Sequence, residues 1–231
     1  MIVAEPMTLL TDLLLGGLGL ILARRLSRIA RGDGRRAARW WVLALAAAGV
    51  AALAGGIWHG FHQRWAPLTG WLLWRVTVWS VGVASCAMLV ATFHARVRAP
   101  LRGRLQMLAV VQFAVYGLWM IGHSDFQWVI ADYVPAMAVV LGLHGWAFWR
   151  RRLPADGWMV AGVAVSLAAA AVQALELAPD PRFNHNDLYH VIQMAALVCF
   201  YRGARGLLDF DGLASPAPFP AAVPSTRAQE S

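Results

Sequence analysis

The chain has 231 residues, of which 59% are hydrophobic and only 14% charged, with a formal net charge of +8. Soluble domains carry about a quarter of their residues as charged side chains, so a water-soluble globular fold is excluded and an integral membrane protein is expected. All 20 basic residues are arginine; because they stand at the ends of apolar runs and not on one surface, they point to topology and anionic lipid headgroups and exclude nucleic acid as a partner.

Seven apolar runs have spanning length: about 7–23, 41–61, 71–93, 105–121, 128–149, 158–177 and 188–207. The expected fold class is an all-α membrane protein with seven transmembrane helices. Residues 1–208 form the seven-helix domain, and 209–231 are a Pro/Ala/Ser-rich tail expected to be disordered. Arginines fill the first, third and fifth loops and close the last helix, whereas the other loops carry only Arg64 and Arg182. The positive-inside rule then places the amino terminus outside and the carboxyl terminus in the cytoplasm, as for a multi-pass protein of a bacterial inner (plasma) membrane. Cys86 and Cys199 fall mid-span and imply no disulfide framework.

Charged and polar residues within the runs are the informative ones, because hydrocarbon tolerates them only when they face partners. In the first run Thr8 and Asp12 lie one turn apart and Gly16 and Gly19 extend the stripe, so Asp12 points inward beside a smooth face. It either serves a site or pairs with an arginine to fix packing. The second run ends with His59 and His62 three residues apart, with Gly55 one turn below His59. These two imidazoles suit a ligand pair, although His62 stands nearer the water boundary.

The third run carries Arg75 close to its outer end. It either snorkels outward along Trp71, Trp74 and Trp79 or, the favoured expectation, neutralises Asp12, Asp132 or Glu176. In the fourth run Gln112, Tyr116, Trp119 and His123 form a helical stripe, and the fifth holds Asp132 before Pro135, with His144 toward the cytoplasm. Ser166, Gln173 and Glu176 share a face of the sixth. The seventh opens on a polar stretch, 183–190, in which Asn186 and His190 lie one turn apart and His185 precedes them. Five of the seven histidines thus fall at the outer helix ends, a clustering independent of the arginines that set the topology.

A histidine ending helix two and Asn186-Asp187-Leu188-Tyr189-His190 opening helix seven, in a chain of seven spans, resemble the CREST superfamily of alkaline ceramidases and progestin/adipoQ-type receptors. That superfamily has a zinc site with Ser-x-x-x-His on helix two, Asp on helix three and His-x-x-x-His on helix seven. His59 matches the helix-two ligand and His190 the second histidine of the pair. Gly55 stands in place of the serine, Asn186 in place of the first histidine, and Arg75 is the sole charge of helix three.

The first functional expectation is a membrane-embedded, zinc-dependent hydrolase of a lipid amide or ester. His59 and His190 would be ligands with His185, His62 or Asp12 as the third, Asp12 or Glu176 the proton acceptor, and Arg75 the holder of a phosphate or oxyanion. The second is a non-catalytic protein that binds a lipid or small molecule, or senses pH through its histidines. The third is a haem held between His59 and His190.

Overall fold

A computed structural model describes residues 3–180 and 182–213. Among these residues the fold is all-helical. The long helices are α1 (Pro6–Ile29), α2 (Arg36–Phe61), α3 (Pro67–Arg96), α4 (Ala99–Gly122), α5 (Phe126–Arg151), α6 (Pro154–Ala174) and α7 (His185–Gly206), followed by a single turn, α8 (Phe210–Leu213). Four of them begin with proline in the first turn, where its missing N–H would have no intrahelical partner. Helix α7 begins instead with a capping box. Asn184 Oδ1 accepts from the N–H groups of Asn186 and Asp187, and Asp187 Oδ2 accepts from the N–H of Asn184 at 2.8 Å.

Short connections set most successive helices side by side, α4 and α5 excepted. Helices α1, α2, α3, α5, α6 and α7 follow one another around a ring that closes where α7 meets α1, and α4 lies outside it against α3. Since lipid tails offer no less apolar surroundings than leucine does, close packing is what holds such helices together. Backbones come close between α1 and α2: a Cβ on Gly49 would stand 2.9 Å from the Gly16 carbonyl oxygen, and one on Gly19 would stand 3.0 Å from the Gly49 Cα. The smooth face expected beyond Asp12 is therefore where α2 docks. Nearer the arginine-rich end Trp41 of α2 stacks on Phe200 of α7, with ring centroids 5.0 Å apart.

Six of the seven long helices, α1 to α6, are long and apolar enough to cross a membrane, and the protein is a multi-pass membrane protein. Helix α7 has 22 residues but carries Asn186, Asp187, His190 and Gln193 in its first half, which makes it the most polar of the set. The folded unit also runs past residue 208. Buried Asp209 accepts from the N–H groups of Arg36 (3.1 Å) and Ala37 (2.8 Å), capping α2, and Asp211 pairs with Arg102 at 2.9 Å. The expected disordered tail thus starts too early at 209, because these two carboxylates have partners at the bundle end. Its remainder, residues 214–231, lies outside the described residues.

Candidate functional site

The end of the bundle opposite most of the arginines gathers polar groups from α1, α2 and α7. Asp12 projects from α1 between the other two helices, with only 4% of its surface exposed. Room for it comes from α2: a Cβ on Gly56 would lie 2.6 Å from the Asp12 Cβ, and one on Gly55 would lie 3.8 Å from Asp12 Oδ2. From α7, His190 presents Nε2 to Asp12 Oδ1 at 3.2 Å and Nδ1 to Thr11 Oγ1 at 3.0 Å. The imidazole is thus held on both nitrogens by adjacent residues of one helix.

Proton positions follow from this geometry. Thr11 Oγ1 is also 3.1 Å from the carbonyl oxygens of Met7 and Thr8. If its proton goes to a carbonyl, it accepts from His190 Nδ1–H, and a further proton must lie between Nε2 and Asp12. If its proton goes to Nδ1, then Nε2–H points at the carboxylate. Either way the imidazole and the carboxylate share a proton in a nearly closed setting, with no arginine or lysine within 4 Å of Asp12 among the described residues.

The surroundings are acidic and aromatic. Glu5 and Asp187 are near enough for their charges to be felt at Asp12, as is His59 at His190. Buried Asp187 starts α7 through its cap and so fixes the turn that carries His190, while Tyr189 packs edge-on to the His190 ring at 5.4 Å. Above the pair, Ala4 N–H donates to Gly60 O (3.1 Å), which holds Glu5 Oε2 3.2 Å from His59 Nδ1. Away from α1, the polar face of α7 continues to α6: Gln173 Nε2 donates to Asn186 Oδ1 (2.8 Å) and Gln193 Nε2 to Ser166 Oγ (3.3 Å).

The other expected site residues lie elsewhere. Arg75 is buried but meets no carboxylate among the described residues. It donates to His123 O (2.6 Å) and Ser124 Oγ (3.1 Å) and lies 5.0 Å from the Trp71 ring centre, so it clasps the α4–α5 loop instead of neutralising Asp12, Asp132 or Glu176. Its long stem can turn outward along the helix as readily as inward, which residue spacing does not reveal. Glu176 is exposed and past the end of α6, at φ 50°, so it does not extend the face of Ser166 and Gln173. His62 stacks on Trp58 at 4.1 Å and donates from Nδ1 to Trp58 O. His185, half-buried, stands at the first position of α7, one turn before the pair.

Thr11 is the partner that sequence reasoning passed over. The available signal was its place beside Asp12 on the inward stripe with Thr8. A second buried group was also missed, at the arginine-rich end: Asp156 Oδ1 lies 2.6 Å from His144 Nδ1 and accepts from Arg96 Nε at 2.7 Å. Here the signal was Asp156 recurring in register with Met159, Gly162, Val163 and Ser166, the buried stripe of α6.

A family model matches residues 7–209, nearly the whole described bundle. The chain belongs to DUF6962, a family of unknown function. No curated protein and no solved structure matches it. The matched span of this DUF6962 member includes Thr11, Asp12, His59 and His190, and it ends at Asp209, the residue that caps α2. The resemblance to the ceramidase and adipoQ-receptor superfamily rests only on the residues quoted for it.

The groups that resemblance and spacing imply fit the DUF6962 chain poorly. Zinc needs three protein donors around an open position. Among the described residues no three His, Cys, Asp or Glu side chains are gathered to hold a metal ion, and His62 is stacked on Trp58. A haem iron needs an imidazole nitrogen directed at it. Both nitrogens of His190 are already directed at Thr11 and Asp12.

Proposed function

We propose that this protein is a proton-responsive membrane protein in which the Asp12–His190 pair, at the outer ends of α1, α2 and α7, takes up and releases a proton as a small molecule or lipid binds above it. The observation that carries the reading is the 3.2 Å approach of His190 Nε2 to Asp12 Oδ1, with no arginine among the described residues close enough to fix the charge state. A buried acid and base of this kind change net charge by one on protonation, and α1 and α7 meet at that point, so their packing follows the change. The facing titratable groups are Glu5 from the α1 approach, His59 from α2 and Asp187 from α7. The decisive experiment is infrared difference spectroscopy of the protein in lipid nanodiscs, titrated from about pH 4 to about pH 9. A carboxylic-acid band that titrates in the native chain and vanishes in Asp12→Asn supports the proposal; identical spectra for the two chains overturn it.

The hydroxyl–imidazole–carboxylate chain of Thr11, His190 and Asp12 favours one second reading, hydrolysis of a lipid amide or ester. In it His190 is the proton acceptor for an attacking hydroxyl or water and Asp12 stabilises the imidazolium. Release of fatty acid from lipid amides and esters by the purified protein, abolished in His190→Gln, is the test. No release from a protein that passes the infrared test leaves the proton-responsive reading alone.

A further inference from the structure

At the arginine-rich end a cavity of about 380 Å³ lies between the α1–α2 loop, the start of α2, the end of α3, the start of α4 and the segment after α7. Three of its basic side chains are Arg36, Arg39 and Arg102, and His94 also lines it. Three aspartates border it too, but two are engaged. Asp209 is held by the N–H groups that open α2, and Asp211 is held by Arg102. Asp33 is exposed on the loop. Arg36 and Arg39 are left with no carboxylate within 4 Å of their guanidinium groups among the described residues. His94 is only 8% exposed, and its Nδ1 has no hydrogen-bond partner. Arg39 also borders a second cavity of about 440 Å³, lined by Arg31 and the backbone turn at Gly32, so the basic lining continues sideways.

We propose that this cavity is a binding site for a phosphate group, carried by an anionic phospholipid headgroup or by a soluble phosphate. Two guanidinium groups without ion pairs and a buried imidazole supply charge-assisted donors to a group rich in acceptors, and guanidinium geometry suits phosphate oxygens. The cavity stands at the ends of spanning helices, the level of headgroups, and its walls include the cap that ties the segment after α7 to α2. Occupancy therefore braces α2, α3 and the end of α7 against one another.

The test has two arms. In the first, the protein is purified from mixed phosphatidylcholine and phosphatidylglycerol nanodiscs, and the phosphatidylglycerol retained through detergent washing is measured by mass spectrometry. In the second, phosphorus NMR follows inorganic phosphate titrated against delipidated protein. The double variant Arg36→Gln/Arg39→Gln should lose bound phosphate or retained lipid by about tenfold. The charge-matched control Arg150→Gln/Arg202→Gln, whose guanidiniums lie over Trp146 and Trp158, should keep it. His94→Phe, which keeps an aromatic ring and removes the donor, should weaken binding as well. Retention of phosphatidylglycerol alone makes the ligand a lipid, and binding of inorganic phosphate alone makes it soluble. Binding in neither arm, equal losses in the control, or full retention in His94→Phe would overturn the proposal, the last two in favour of plain surface charge.

Discussion

Each end of the bundle buries a histidine against an aspartate, and the two pairs differ above all in whether a guanidinium meets the carboxylate. Asp156 and His144 have fully buried side chains, and the same carboxylate oxygen takes the guanidinium of Arg96 at 2.6 Å. The Asp12 carboxylate meets no guanidinium among the described residues, and the third group of that end, the Thr11 hydroxyl, sits on the other nitrogen of His190. A guanidinium stays protonated throughout the accessible pH range, so it decides the charge of its carboxylate and makes the first group a fixed tie between α3, α5 and α6. With no guanidinium on Asp12, no permanent charge fixes the proton of the second pair. Similar residues thus make a structural tie in one place and, on the function proposed above, a proton-responsive site in the other.

The largest expected effect comes from breaking the tie. Asp156→Asn leaves the Arg96 guanidinium buried without its counter-charge and should cost about 3–5 kcal/mol, read as a large drop in thermal unfolding temperature in detergent. Asp12→Asn strands no permanent charge and should cost about 1 kcal/mol, the net scale of an ordinary hydrogen bond. Equal losses for the two variants would erase the contrast. Next in size is Gly56→Ala, whose new methyl falls 2.6 Å from the Asp12 Cβ. Overpacking of this kind costs about 1–3 kcal/mol and pushes Asp12 from His190, so the infrared band should shift along with the unfolding temperature. An unchanged band in a destabilised Gly56→Ala protein would show that α2 does not position the carboxylate.

Arg75→Gln sharpens the comparison from a third place. Loss of the bonds to His123 O and Ser124 Oγ should cost about 1–3 kcal/mol and leave the Asp12 band where it was. A moved band would return Arg75 to the site.

The two ends were unequally legible in the sequence. Apolar run length revealed α1 to α6, because hydrocarbon admits little else, and the inward face of Asp12 followed from Gly16 and Gly19 beneath it. The polar stretch that opens α7 is plain in the sequence, and one of its residues, His190, finds its partner across the seam in Asp12. The tie at the other end was hidden by the very feature that gave the topology. Arg96 was counted among the loop arginines and Asp156 was passed over between runs, although α3 and α6 extend far enough to bury both. Arg75 misled for a related reason: the sequence gives its depth, but a seven-atom side chain chooses its partner by local packing, and the α4–α5 loop was nearer than any carboxylate.

Glu176 supplies the smallest and most diagnostic effect. It occupies φ 50° just beyond α6, where a side chain is disfavoured and glycine is not, and its own side chain is exposed. Glu176→Gly should therefore be neutral or stabilising by up to about 1 kcal/mol, relief of backbone strain being partly offset by the greater freedom glycine gives the unfolded chain. A catalytic proton acceptor would behave in the opposite way, with stability kept and lipid hydrolysis lost. Unfolding temperature and fatty-acid release measured on the same preparation separate these outcomes. A stabilised Glu176→Gly protein with every activity intact assigns the residue to the turn and removes it from the candidate proton acceptors.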